Sequence, residues 1–479
     1  MLTPSLDVGI PTLKSAISSP QISVYPASIH RLFTPATVLA GYLSGVAIPV
    51  DERRAIARLI HRVGFGPRPG EFEDALAAGF NQTAAQVLSA PKPSYGDLKT
   101  ELGIFDLGPR PRPNTPELLS YGDNKRRQTL VMTLWWLDQM TIQDRPIHER
   151  MTWFWHGHWA TSLAKVDDPL PMFDHVQKLR TNALGSFLAM SRSMVMDGAL
   201  IFWLDGQRNT SVAPNENLSR ELLELFMLGV NRYQESDVKE ISKVLTGYKV
   251  QIRNGSVTRN MRHAYQGRVN VFGSSQSFDA ISLVEVLASR PDCQRFIPER
   301  LWFRFVSTST SMPNRSPIEE GFAAREVLPA MRALISSAAF ADPVNSQVKS
   351  PVDWLVSALR ALRLQPSELP NPNYAINTLR ALGQVPYLPP NVGGWPADEA
   401  WLSAAASQTR IQVAQYLTKL GDLTPVSGVP QNRRIEALAN WLGVWKWSDR
   451  TSIALQGAIR DPQRLAMLGI CSPEYVVNA

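Results

Sequence analysis

The chain has 479 residues, 44% hydrophobic and 19% charged, with 49 lysines and arginines against 42 aspartates and glutamates for a formal net charge of +7. This composition argues against a disordered chain, a collagen-like fibre and a coiled-coil rod, and the length suits two or three domains or one large helical body with extensions. The charge is too dilute to signal nucleic acid, and the two cysteines, Cys293 and Cys471, are too far apart in sequence to suggest a disulfide framework or a cysteine-rich zinc site.

Residues 1–50 are rich in Ser, Pro and Thr, and an uncharged stretch over 32–50 follows His30 and Arg31. That stretch is the one membrane candidate, but Pro35, Gly41, Gly45 and Pro49 lower its apolarity, and a secretory signal would begin nearer Met1. The expected form is an N-terminal arm, with a cytoplasmic location favoured. From Asp51 the apolar periodicity is helical. A first helix carries Ile56, Leu59, Ile60 and Val63 and stops at Gly64, and a second follows Pro69. Thr115-Pro116-Glu117, Ser316-Pro317-Ile318-Glu319 and Ser350-Pro351-Val352-Asp353 each place a hydroxyl at the cap, proline at the first helical position and an acid in the first turn. Helical segments are predicted at about 116–142, 145–160, 170–197, 214–229, 236–247, 279–305, 317–338, 351–364, 371–383, 398–420, 431–443 and 460–470. The best strand signal lies at 247–273, where Tyr248-Lys-Val-Gln-Ile-Arg alternates ahead of Asn254-Gly255, a pair favouring a two-residue hairpin loop. The fold class is therefore all-α, a large multi-helix body with one small β-hairpin insertion. It divides into an arm (1–50), a helical half (51–246), the insertion (247–275) and a second helical half (276–479).

Two features carry chemistry. His156-Gly157-His158 lies among Trp153, Trp155 and Trp159. Imidazoles two apart sit about 200° apart around a helix, so they share a divalent metal only if the helix breaks at Gly157. Otherwise they are core histidines bonded to the backbone. In the helix from Asn215, Glu216, Asn217, Arg220, Glu221 and Glu224 share an arc of about 140°, with leucines and Phe226 opposite. Read as a site, Glu221 or Glu224 serves as ligand or general base and Arg220 orients an anion, while Asn215, Asn217, Trp155 and Trp159 contact substrate. Read as structure, the stripe is a solvated face with i,i+4 pairs from Arg220 to Glu216 and Glu224. A phosphate-binding loop and a Gly-x-Ser-x-Gly elbow are absent from the sequence. Arg53, Arg54, Arg58 and Arg62 read as a basic, solvated helix face, and Trp441, Trp445 and Trp447 as core positions.

The blocks Arg58-Leu-Ile-His-Arg-Val-Gly-Phe-Gly-Pro67, Trp155-His-Gly-His-Trp159, Pro214-Asn-Glu-Asn217 through Leu228-Gly229, Leu245-Thr-Gly-Tyr248, Pro390-Asn-Val-Gly-Gly-Trp-Pro396 and Ser472-Pro-Glu-Tyr475 together resemble the bacterial family called domain of unknown function 1800. The resemblance implies a mostly helical fold often found in exported proteins, and no established reaction. The chain departs from the family pattern at Phe226, where a histidine is usual, and at His263-Ala264, where His-Asp is usual. His263 remains a candidate ligand. The leading expectation is a metal-assisted enzyme, hydrolytic rather than redox, with His156, His158 and His263 as ligands of a divalent ion and Arg220, Glu221 and Glu224 as catalytic groups. The rival is a non-catalytic helical scaffold or binding protein acting with a protein partner, in which Arg220 and Glu221 form a buried ion pair.

Overall fold

The computed structural model describes residues 52–95, 98, 102, 105 and 107–478, so the predicted arm lies outside the described residues. Helices dominate, and proline-led caps mark where several begin. Pro116–Ile142 starts and ends at its predicted residues. The Ser316 hydroxyl accepts from the Ile318 amide and Ser350 from Asp353, as helix N-caps do. Thr115 instead donates to the Arg112 carbonyl.

Three predicted helices are each two. The 279–305 segment splits into Ala280–Ser289 and Pro291–Phe305, because Pro291 has no amide to continue the ladder and Arg290 is extended before it. The 170–197 segment splits into Pro169–Thr181 and Phe187–Val195, and 317–338 into Pro317–Gly321 and Val327–Ile335. These two breaks meet. Phe187 donates its amide to the Arg325 carbonyl at 2.8 Å and Val327 to the Gly185 carbonyl at 3.0 Å, a tertiary pairing that period alone does not encode. Arg325, at φ 61°, also sends its guanidinium to the Ser289 and Arg290 carbonyls at 3.1 and 3.2 Å, closing the neighbouring helix end.

The single predicted hairpin is two. Tyr248–Gln251 pairs antiparallel with Ser256–Arg259, and Val269–Val271 with Ser274–Gln276. Gln251 faces Ser256, so the first loop holds four residues rather than two. The Asn254 side chain accepts from the Ser256 amide at 3.0 Å and fixes that wider turn. Gln347–Val348 also pairs with Val477–Asn478. Among the described residues no helix is long and apolar enough to cross a membrane.

Two apolar clusters form the core, and each draws on residues before and after the hairpins. Charged groups are buried between the elements. Glu149 is fully buried and accepts from Arg180 at 2.8 and 2.9 Å, the Tyr95 hydroxyl at 2.6 Å and the Trp136 indole at 2.7 Å. Asp353 bridges Arg150 and Arg304. Arg360 donates to the carbonyls of Gly66, Thr141 and Gln143, satisfying the C-terminal end of the Pro116–Ile142 helix. Arg58 and Arg62, expected on a solvated face, are both buried and donate to carbonyls of distant segments, because the first helix lies inside the body.

Removing one partner of such a pair leaves the other charge buried and alone. Glu149→Gln should therefore lower unfolding free energy by about 3–5 kcal/mol in a denaturant titration. A change below about 1 kcal/mol, the range of a surface pair, would show that Arg180 is not confined as described.

Candidate functional site

The helix Ile147–His158 runs through Gly157 without a break. Its two imidazoles consequently enter different surroundings. His156 lies among Trp136, Trp153, Tyr387 and Trp395, with ring centroids 5.3–5.8 Å away, and its Nε2 accepts from the Tyr387 amide at 3.0 Å. His158 lies among Phe154, Trp155, Phe187 and Phe226, and its Nε2 faces the Phe226 carbonyl at 2.9 Å, to which it donates. Trp155 donates its indole N–H to the Ala183 carbonyl at 2.9 Å, and Trp159 stacks on Phe226 at 4.7 Å. Burial holds His156 well below its ordinary pKa. Burial, with Arg300 nearby, takes His158 down to about 3.

Distant segments are shaped around this helix. Tyr387 adopts φ 66°, a conformation unfavourable for a bulky residue, while its amide meets His156 and its carbonyl accepts from Leu163 at 2.9 Å. At Gly394 a Cβ would stand 2.5 Å from the Gly157 carbonyl, and φ is +84°, so glycine alone fits.

The acidic stripe lies on Asn217–Glu221 and the π-helical turn Leu222–Met227. Asn215 accepts from the Asn217 amide at 2.9 Å, and the Asn217 side chain donates to the Leu204 carbonyl at 3.1 Å. These amides fasten the start of the helix. Arg220 is bidentate to Glu235 at 2.6 and 2.8 Å and reaches Glu216 at 3.3 Å. The expected buried Arg220–Glu221 pair is not formed, because the guanidinium turns outward to Glu235. Glu224 accepts from the Tyr233 hydroxyl. Glu221 is half-buried, and burial, then the neighbouring Glu224 charge, pushes its carboxyl upward.

The expected convergence of imidazoles and carboxylates does not occur. His158 meets the acidic helix on its buried side, at the Phe226 backbone, whereas His156 belongs to the other cluster, and His263 sits exposed beyond the first hairpin. Among the described residues no group of three or more His, Cys, Asp or Glu side chains is placed to hold a metal ion. The residues present do not fit a shared metal centre, since an unbroken helix aims the two rings apart.

A polar pocket of about 410 Å³ lies elsewhere, along the Pro169–Thr181 helix. Its floor is a charge relay absent from the sequence expectations. Buried His175 points Nδ1 at Asp197 Oδ1 at 2.9 Å and Nε2 at the Trp159 carbonyl at 3.2 Å, and Lys178 donates to Asp197 Oδ2 at 2.6 Å. Burial alone would raise the Asp197 carboxyl, but His175 and Lys178 together hold it well below the usual range. The available signals were the i,i+3 spacing of His175 and Lys178 and the cap-forming Asp197-Gly198, all absorbed into one predicted helix.

The buried rings set a pH dependence. Their folded pKa values lie below the ordinary 6.5, so the unfolded chain binds more protons, and stability rises with pH between about 3 and 6.5 for His158. Each ring contributes a slope of about 1.4 kcal/mol per pH unit there. Unfolding measured from about pH 7 to 5 should lose stability on acidification, and His158→Gln should flatten the slope by one proton. An unchanged slope in the variant would show that His158 is not held neutral.

The family model described as Protein of unknown function (DUF1800) matches residues 58–477. Neither a curated protein nor a solved structure matches the chain. A match over nearly the whole sequence makes the chain a member of the DUF1800 family.

Proposed function

We propose that the chain is a non-catalytic helical scaffold or binding protein acting with a partner, and that its His156-Gly157-His158 motif is structural. The observation that carries this reading is that the Nε2 atoms of His156 and His158 are each engaged by a backbone group of a different cluster. The other family blocks also sit where distant segments join. His61 bonds the Leu442 carbonyl at 3.1 Å, Gly247 donates to the Asn209 carbonyl at 3.0 Å, and Tyr475 shares a 2.7 Å hydrogen bond with Ser357. Bonds at such joins serve packing and backbone satisfaction, independent of any reaction.

One observation favours the metal-assisted hydrolytic reading. Glu221 and Glu224 form a half-buried carboxylate pair, and the raised Glu221 is the kind of group that serves as a general base. Arg220 would then orient an anion, with Asn215 and Asn217 at the start of the same helical segment, whereas Trp155 and Trp159 are fully buried.

Metal analysis and unfolding separate the two. For the scaffold, purified protein before and after chelation, and His156→Ala, should all hold near-zero metal, while the variant loses about 2–4 kcal/mol of stability through its cavity and the unpaired Tyr387 amide. Stoichiometric metal lost in His156→Ala without a comparable stability change would overturn the scaffold reading.

A further inference from the structure

We propose that a basic face with apolar tips, built by two adjoining turns at 210–213 and 260–263, docks on an anionic lipid surface; the inference goes beyond the scaffold reading and does not rest on it. Charge points there first. Between Glu240 and Asp279 the chain holds no acid, yet it carries Lys243, Lys249, four arginines and His263. Over the whole chain a charge of +7 is dilute, whereas this run concentrates its cations in one small insertion.

Hydrogen bonds bring the two turns together. Thr210 and Ala213 bond each other's backbone at 3.2 and 3.3 Å, which puts Ser211 and Val212 at the head of a tight turn. The Ser211 amide donates to the His263 carbonyl at 2.9 Å, and the His263 amide donates to the Asn260 carbonyl at 3.0 Å to close the second turn. Both are seated on the base of the first hairpin, where Gly247 donates to the Asn209 carbonyl at 3.0 Å and accepts from the Asn260 amide at 2.8 Å. Buried Asn209 locks the first turn from below, donating to the Ser242 carbonyl at 2.7 Å and accepting from the Asn215 amide at 2.9 Å. The tips are therefore set before any partner arrives.

They present apolar and cationic groups side by side. Val212 is 91% exposed and Met261 52%. Single exposed apolar side chains are ordinary, but these two stand beside exposed Arg262 and His263, and Arg208, just before the first turn, has its side chain 77% exposed. The bordering acids are engaged. Asp205 lies 2.7 Å from Lys165 and only 3.8 Å from Arg208, Glu240 pairs with Lys243 and accepts from the Asn270 amide, and Asp279 caps its own helix. Separate apolar tips ringed by cations suit a lipid surface, where the tips enter the headgroup boundary and the cations meet phosphates. A stable protein interface is built on a contiguous desolvated core, which two tips do not make. Single-stranded nucleic acid is held by stacking on aromatic rings, and neither turn carries Phe, Tyr or Trp.

Cosedimentation of the full chain with vesicles tests this. Vesicles of phosphatidylcholine with about 30% phosphatidylglycerol should be bound at least about tenfold more tightly than phosphatidylcholine alone. The difference should shrink as salt rises from about 0.1 to about 1 M, because the screening length falls from about 10 to about 3 Å. Val212→Asp should weaken binding to the anionic vesicles at least about fivefold, and Arg262→Glu at least about tenfold. Both variants should keep the parent melting temperature, since both side chains are exposed. Absence of binding to the anionic vesicles, or equal binding to both lipid mixtures, would overturn the proposal. Duplex DNA bound as tightly as the anionic vesicles, with Val212→Asp weakening neither, would also overturn it by making the face a general polyanion site.

Discussion

A helix that does not break at a glycine settles how this molecule is organised. Two residues of separation turn the side chains of His156 and His158 to nearly opposite sides of Ile147–His158, and the helix stands between two apolar clusters. Each imidazole then has to be desolvated, and an imidazole inside an aromatic cluster is tolerable when neutral and hydrogen-bonded. The Tyr387 amide and the Phe226 carbonyl provide those bonds. Segments 68 and 231 residues away in sequence are thereby tied to one helix. The left-handed Tyr387 and the Cβ-free Gly394 record how closely the later segment must approach.

The same logic governs the buried charges. A body assembled from many short helices has many helix ends, each with carbonyls or amides that lack an intrahelical partner. Arginine, with five donors in a planar fork, can satisfy several carbonyls at once. Arg360 does so for the end of Pro116–Ile142, Arg62 for the end of Pro291–Phe305, and Arg325 for the end of Ala280–Ser289. Part of the excess of basic residues thus serves internal joins, so the net charge of +7 is a poor guide to partners. Where acids are also buried, as at Glu149, Asp197 and Asp353, each is held by at least two donors.

Local signals were legible and tertiary ones were not. Pro116, Pro317 and Pro351 marked helix starts because a proline at the first turn is a local geometric fact. The break at 182–186 was invisible because it is held by Arg325 and Val327, far away in sequence. The wider hairpin loop followed from the Asn254 side chain competing for a backbone amide. The 200° rule foretold that the imidazoles would diverge unless Gly157 broke the helix, and a glycine near a helix end leaves that choice to the surroundings. Here Gly394 packs against the Gly157 carbonyl and the helix continues. The Lys178–Asp197–His175 relay was unreadable for a related reason: His175 and Lys178 lie on Pro169–Thr181 and Asp197 caps the start of the Gly198–Trp203 helix, a separation hidden inside one predicted segment over 170–197.

The most direct measurement is nitrogen NMR of the histidine rings, which reports the protonated nitrogen of each. The account predicts opposite tautomers at neutral pH, with the proton on Nδ1 in His156 and on Nε2 in His158, both unaltered by added zinc. Matching tautomers, or coordination shifts of both rings on titration with zinc, would contradict it.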